Sequence, residues 1–146
     1  MVTQCNQIKQ YYSFGYFIEP KGLNKSYGLL YVTMSNEQFL LENIKEFIKQ
    51  AEKASKDNSY NSAVTLLFKA MAVMCDLFIL KKEGFIPKNH TERFQVLKQK
   101  HFEIYKILNK DFPVYQQSYR IKLNKDYMKV LENDLKRLTK ISKIKI

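Results

Sequence analysis

From residue 63 to residue 80 the chain is apolar on nearly every side of a helical wheel, with Ala63, Val64, Leu66, Leu67, Ala70, Met71, Val73, Met74, Leu77, Phe78 and Leu80 interrupted by few polar positions. A surface helix carries one apolar stripe, whereas a helix apolar almost all round has to be touched from several directions. The neighbours are expected to be helices too, because 4 Gly and 3 Pro in 146 residues are too few for a turn-rich all-β fold. Asn58 or Ser59 can cap this segment, which should run to about Lys82. Gly84 and Pro87 then supply a C-terminal glycine followed by a proline that cannot continue the helix. The segment is the expected centre of a bundle.

Amphipathic stretches flank it. Ser35 and Gln38 have the spacing of a capping box, and Leu40, Ile44, Phe47, Ile48, Ala51 and Ala54 recur at helical steps toward an end near Lys56–Asp57. Asn89 and Glu92 have the same spacing, followed by a stripe of Phe94, Leu97, His101, Ile104, Tyr105 and Leu108 that should stop before Pro113. A shorter helix is expected over about residues 114–123. A last one, from about Lys125 to Ser142, should turn Tyr127, Val130, Leu131, Leu135, Leu138 and Ile141 inward. Short connections imply antiparallel neighbours, so the expected fold is all-α, an up-and-down bundle of four or five helices over residues 35–146. Residues 1–34 read differently. Their aromatic and β-branched clusters around Pro20 and Gly22 fit a short hairpin or an irregular arm packed on the bundle or a partner subunit.

Charge narrows the partners. The net charge is +11, and residues 98–146 hold thirteen basic against five acidic side chains, so the C-terminal third carries most of the field. Long-range attraction favours acidic partners. Cys5 and Cys75 are too few and too far apart for a disulfide framework, and Cys75 has the setting of a small core residue. With no leader, lipidation motif or apolar run of about 18 residues legible, a cytoplasmic protein with no membrane association is expected.

Candidate chemistry is sparse. There is no Gly-rich phosphate loop, H-E-x-x-H pair or C-x-x-C, and nothing calls for a cofactor or metal. His101, inside an apolar stripe, reads as a boundary or core histidine bonded to a neighbour. His90 stands at the start of a helix, where it either helps helix entry or faces anions drawn to the exposed N–H groups, which would depress its pKa. Tyr115, Tyr119, Arg120, Lys122, Lys125 and Tyr127 interleave rings with cations. That mixture lets bases stack while phosphates are neutralised, or it packs the tyrosines in the core and leaves the charges in water. Arg120 and Tyr127, seven apart, would share a face if one helix ran through both.

The run from Ala63 to His90, with Ala70, Gly84, Pro87 and Lys88, resembles HEPN-domain proteins, in which an alanine-rich helix leads through Gly and a Pro-Lys-(Ser/Thr/Asn)-His stretch into the next helix. The stretch from Ser118 through Arg120 and Lys122 to Asp126-Tyr127 is similar to the family's arginine-to-Asp-Tyr element before its last long helix. The resemblance spans roughly residues 36–142. It implies a bundle that is commonly a homodimer and is associated with nucleotides, RNA or a separate minimal nucleotidyltransferase, and many members are metal-independent ribonucleases or toxins using an Arg followed by His. The resemblance implies an Arg-to-His gap of about four to six residues; here no His follows Arg120 or Lys122 within it, and Tyr127 falls there instead. A phenol titrating near pH 10 is a poor proton shuttle at neutral pH.

The reading is therefore a nucleotide- or RNA-binding protein that acts as a dimer through a basic, Tyr-containing groove and does not need catalysis, with Lys88, His90, Tyr119, Arg120, Lys122, Asp126 and Tyr127 as candidate ligand contacts. The alternatives are a metal-independent endoribonuclease using Arg120 with Tyr127 or His90, and an interaction subunit for a nucleotidyltransferase.

Overall fold

The computed structural model describes residues 35–146, so the expectations for residues 1–34 lie outside the described residues. Within it, α1 (Asn36–Lys56), α2 (Tyr60–Glu83), α3 (His90–Lys100), α4 (Phe102–Gln117) and α5 (Lys125–Ser142) form an all-α, up-and-down bundle. The apolar α2 is its axis: it packs against each of the other four helices. Val64, Phe68, Met71, Met74, Leu77 and Ile79 on α2 are at most 1% exposed, joined in the core by Ile44 of α1, Leu97 of α3, Leu108 of α4 and Leu131 and Leu138 of α5. Cys75 is among these buried side chains, and burial pushes its thiol pKa far above the usual range. By length and composition α2 could cross a membrane, contrary to the expectation that the chain holds no such run, yet 72% of its apolar window is buried inside the bundle.

Local signals set several helix ends. Gly84 adopts φ 81°, a left-handed conformation natural to glycine, and its N–H closes α2 onto the Leu80 carbonyl. The Asn89 side chain accepts from the Glu92 N–H at 2.9 Å, while the Glu92 carboxylate reaches back to the Lys88 N–H at 2.6 Å. That is a capping box displaced by one residue on its return arm. Ser59 stands at the N-cap of α2 but makes no side-chain cap bond there. Asn58, with φ 56°, instead ends the turn after α1 and accepts a 2.7 Å hydrogen bond from the Tyr60 hydroxyl.

The second half departs from expectation in three ways. The stripe expected as one helix from Asn89 to before Pro113 is broken at His101, whose φ of −136° lies outside helical geometry. The His101 ring is held by Glu83 at 2.8 Å and meets Phe78 edge-on, so contacts with α2 outweigh helical continuity at that point. Pro113 lies inside α4. A proline there leaves the carbonyl four residues back without its partner, but that residue, Asn109, is exposed and water can serve it. Packing of Phe112, Val114 and Tyr115 against the core carries the helix through. In consequence the expected helix over 114–123 does not form: residues 114–117 end α4 and 118–124 are a turn and extended loop. On α5 the buried side chains are Met128, Leu131, Asp134, Leu135 and Leu138, whereas Tyr127, Val130 and Ile141 are exposed. The core meets α5 on the side of Met128, rotating those three to the rim.

Candidate functional site

The loop from Ser118 to Asn124 is anchored by one side chain that the sequence reading did not single out. Asn61, in the first turn of α2, donates from Nδ2 to the carbonyls of Ser118 (2.7 Å) and Ile121 (2.6 Å), and its Oδ1 accepts from the Leu123 N–H (2.9 Å). One amide thus meets three backbone groups that no helix serves. Leu123, 2% exposed, plugs into the core beside this clamp, and Asn124 then caps α5 by accepting from the Asp126 N–H at 3.0 Å. Asparagine is so common at helix starts that only its long-range partners mark Asn61 out.

The clamp fixes the turn that carries Tyr119 and Arg120. These two, with Pro113, Gln116 and Gln117, line an open groove of about 630 Å³ at the end of α4. Tyr119 is 67% exposed; its hydroxyl donates to that of Tyr115 at 2.8 Å, and the two rings meet edge-on at 5.4 Å. Tyr115 in turn stacks on Phe68 at 4.6 Å. The hydrogen bond from Tyr119 and burial push the Tyr115 hydroxyl up to about 12, so it stays neutral. The groove therefore offers an exposed phenol face, a guanidinium and two amides: groups that can stack on a planar ring, neutralise an anion and read hydrogen-bonding edges.

The other sequence candidates are not among the groove's described lining. Lys122 and Asp126 are exposed, Asp126 in the first turn of α5, where a carboxylate complements the helix dipole. Tyr127 is 38% exposed on α5. It does not share a helix face with Arg120, because the chain between them is not helical. Lys88 has an exposed side chain and gives its backbone N–H to Glu92.

His90 reaches the groove only through an aromatic relay: its ring lies 6.5 Å from that of Tyr115, which touches Tyr119, and 5.6 Å from Phe112. Its Nδ1 is 2.8 Å from an Arg93 Nη1, and since a guanidinium can only donate, that ring nitrogen accepts and the proton sits on Nε2. The pKa of His90 is lowered first by burial and then by the Arg93 cation. The direction matches expectation. Behind it Arg93 grips Asp76 through two hydrogen bonds of 2.7 Å.

Among the described residues, no group of three or more His, Cys, Asp or Glu could hold a metal ion. No protein-family model, curated protein or solved structure matches the chain.

Proposed function

We propose that this chain is a HEPN-like helical bundle that binds RNA or nucleotides at the Tyr119–Arg120 groove without cleaving them. The observation that carries the reading is the Asn61 clamp: it pins the turn that places an exposed tyrosine ring beside an arginine over an open groove. Preorganisation of this kind lowers the ordering cost of binding. The +11 net charge raises the local concentration of anionic ligands.

Nothing in the arrangement favours the ribonuclease alternative. A general base needs a free lone pair near the reacting hydroxyl. His90 has its Nδ1 occupied by Arg93 and its Nε2 already protonated, and it lines none of the described groove.

The test is a fluorescence titration of purified protein with nucleotides and short RNA. Binding that weakens with added salt and falls about tenfold or more in Arg120→Ala supports the reading, a loss typical of a charged contact. Wild-type affinity in Arg120→Ala and in Tyr119→Ala would remove the groove from consideration. Chelator-resistant cleavage that requires Arg120 would replace binding with catalysis.

A further inference from the structure

Lys125, Lys129, Lys136 and Lys140 lie four, seven and four residues apart along α5. At about 100° per residue they fall within an arc of about 60°, a single file roughly 22 Å long. All four are exposed, on a side of the helix turned away from the buried Met128, Leu131, Leu135 and Leu138. None of them enters an ion pair with a described residue; the ion pairs of α5 run through Asp134 to Lys110 and Arg137 instead. In sequence Lys143 follows the file just past the helix end, and Arg120 of the groove and the exposed Lys122 precede it.

Helix energetics accounts for only part of this file. Cations are favoured in the last turn of a helix, which covers Lys140, but they oppose the dipole in the first turn, where Lys125 stands. Lys125 with Lys129, and Lys136 with Lys140, are like charges at i,i+4, an arrangement that weakens an isolated helix. Glu132 lies on the same face, four residues before Lys136 at a spacing that favours the helix, but it forms an ion pair with neither Lys129 nor Lys136. A row of four exposed cations with no ion-pair partner among the described residues suits a partner whose negative charges are themselves in a row.

We infer that the lysine file of α5 is a second contact surface for the sugar-phosphate backbone of a polynucleotide, so that the groove's ligand is an extended strand and not a free mononucleotide. The inference rests on the groove reading above for its starting point. A strand with one base on Tyr119 would pass Arg120 and Lys122 and meet the file at Lys125. An anionic lipid surface fits less well: a helix lying on a bilayer inserts its apolar face, and that face of α5 is committed to the bundle core. Since the phosphates of RNA and DNA are alike, both are candidates.

The experiment is fluorescence anisotropy with labelled oligouridylate and oligodeoxythymidylate of about 4 and about 16 nucleotides, the two ends of the common range of single-strand site sizes. It compares wild type, the triple variant Lys129→Gln/Lys136→Gln/Lys140→Gln and Arg120→Ala over a salt series. Glutamine keeps a strong helix propensity at these exposed positions, so the triple variant should fold. Wild type is expected to bind the longer strand at least about tenfold more tightly. The triple variant is expected to lose that gain, with its salt slope reduced by about 2 for three lost single-strand phosphate contacts. A triple variant with wild-type affinity and slope on the longer strand overturns the inference and leaves the groove reading intact. Conversely, a triple-variant loss together with unchanged binding by Arg120→Ala supports the file and removes the groove. Vesicles of phosphatidylserine and phosphatidylcholine serve as the last arm, and capture by these with no oligonucleotide binding overturns the inference.

Discussion

Arg93 of α3 and Asp76 of α2 meet through two parallel 2.7 Å hydrogen bonds, with both side chains 9% exposed. Burial pushes the Asp76 carboxyl up, and the guanidinium works against that shift. The same guanidinium reaches His90, so one arginine joins the core helix to the site's only nearby imidazole.

Breaking this pair leaves a charge stranded in the interior. Arg93→Met is expected to cost about 3–5 kcal/mol, whereas the double variant Asp76→Leu/Arg93→Met should recover most of that loss, since no unpaired charge remains. Urea unfolding of the two variants and wild type measures both. A single variant within about 0.5 kcal/mol of wild type would contradict the assignment of a buried pair.

A second buried acid predicts a pH dependence. Asp111 is 0% exposed and neither carboxylate oxygen has a hydrogen-bond partner among the described residues. Burial, then the neighbouring Asp134 carboxylate, raises its pKa to about 7, while Lys110 opposes the shift. Asp134 itself is bonded to Lys110 and to Arg137. The folded state therefore holds a proton that the unfolded chain releases near the ordinary aspartate value. Stability should be greatest at the acid end of this window, fall as pH rises from about 4 through about 7, and level off above. Asp111→Asn should abolish that slope and stabilise the protein at pH 8, by on the order of 1–2 kcal/mol after allowance for the half-exposed Lys110 and Arg137 beside the pair. Urea midpoints from pH 5 to pH 9 provide the check, and an unchanged slope in the variant would refute it.

Removing the Asn61 amide should free the loop without opening the core. Asn61→Ala is expected to destabilise by about 2–4 kcal/mol, because three backbone groups lose their partner. It should also speed amide exchange at Leu123 and weaken ligand binding at the groove. Exchange at Leu123 equal to wild type would show that the clamp is dispensable.

The turn after α2 gives a smaller effect. No atom lies within 4 Å of where a Gly84 Cβ would stand, so the penalty of Gly84→Ala comes from φ alone. About 1 kcal/mol is expected, and less for Gly84→Asn, because asparagine tolerates the left-handed region better. Thermal or urea midpoints of the two variants establish the order.

Much of the architecture was legible before any coordinates. The apolar run of α2 demanded a central position, and Gly84, Asn89 and Glu92 set helix ends through bonds made within a few residues. Such features depend on local geometry and on how much apolar surface a segment must hide, and both are written in residue order. The candidate site was legible in its parts: Tyr119 and Arg120 stood out as a ring beside a cation, but their groove did not.

What the chain alone determined, then, is that it forms helices, which one lies at the centre, and where the positive charge accumulates. Tertiary structure decided the break at His101, the passage of α4 through Pro113, the rotation of α5 that exposes Tyr127, and the clamping of residues 118–123 by a side chain some 60 positions earlier. In each of these, a contact distant in sequence outweighs a local preference of about 1–3 kcal/mol. The energy of such a contact exists only once the helices have docked, so no local pattern in the chain announces it.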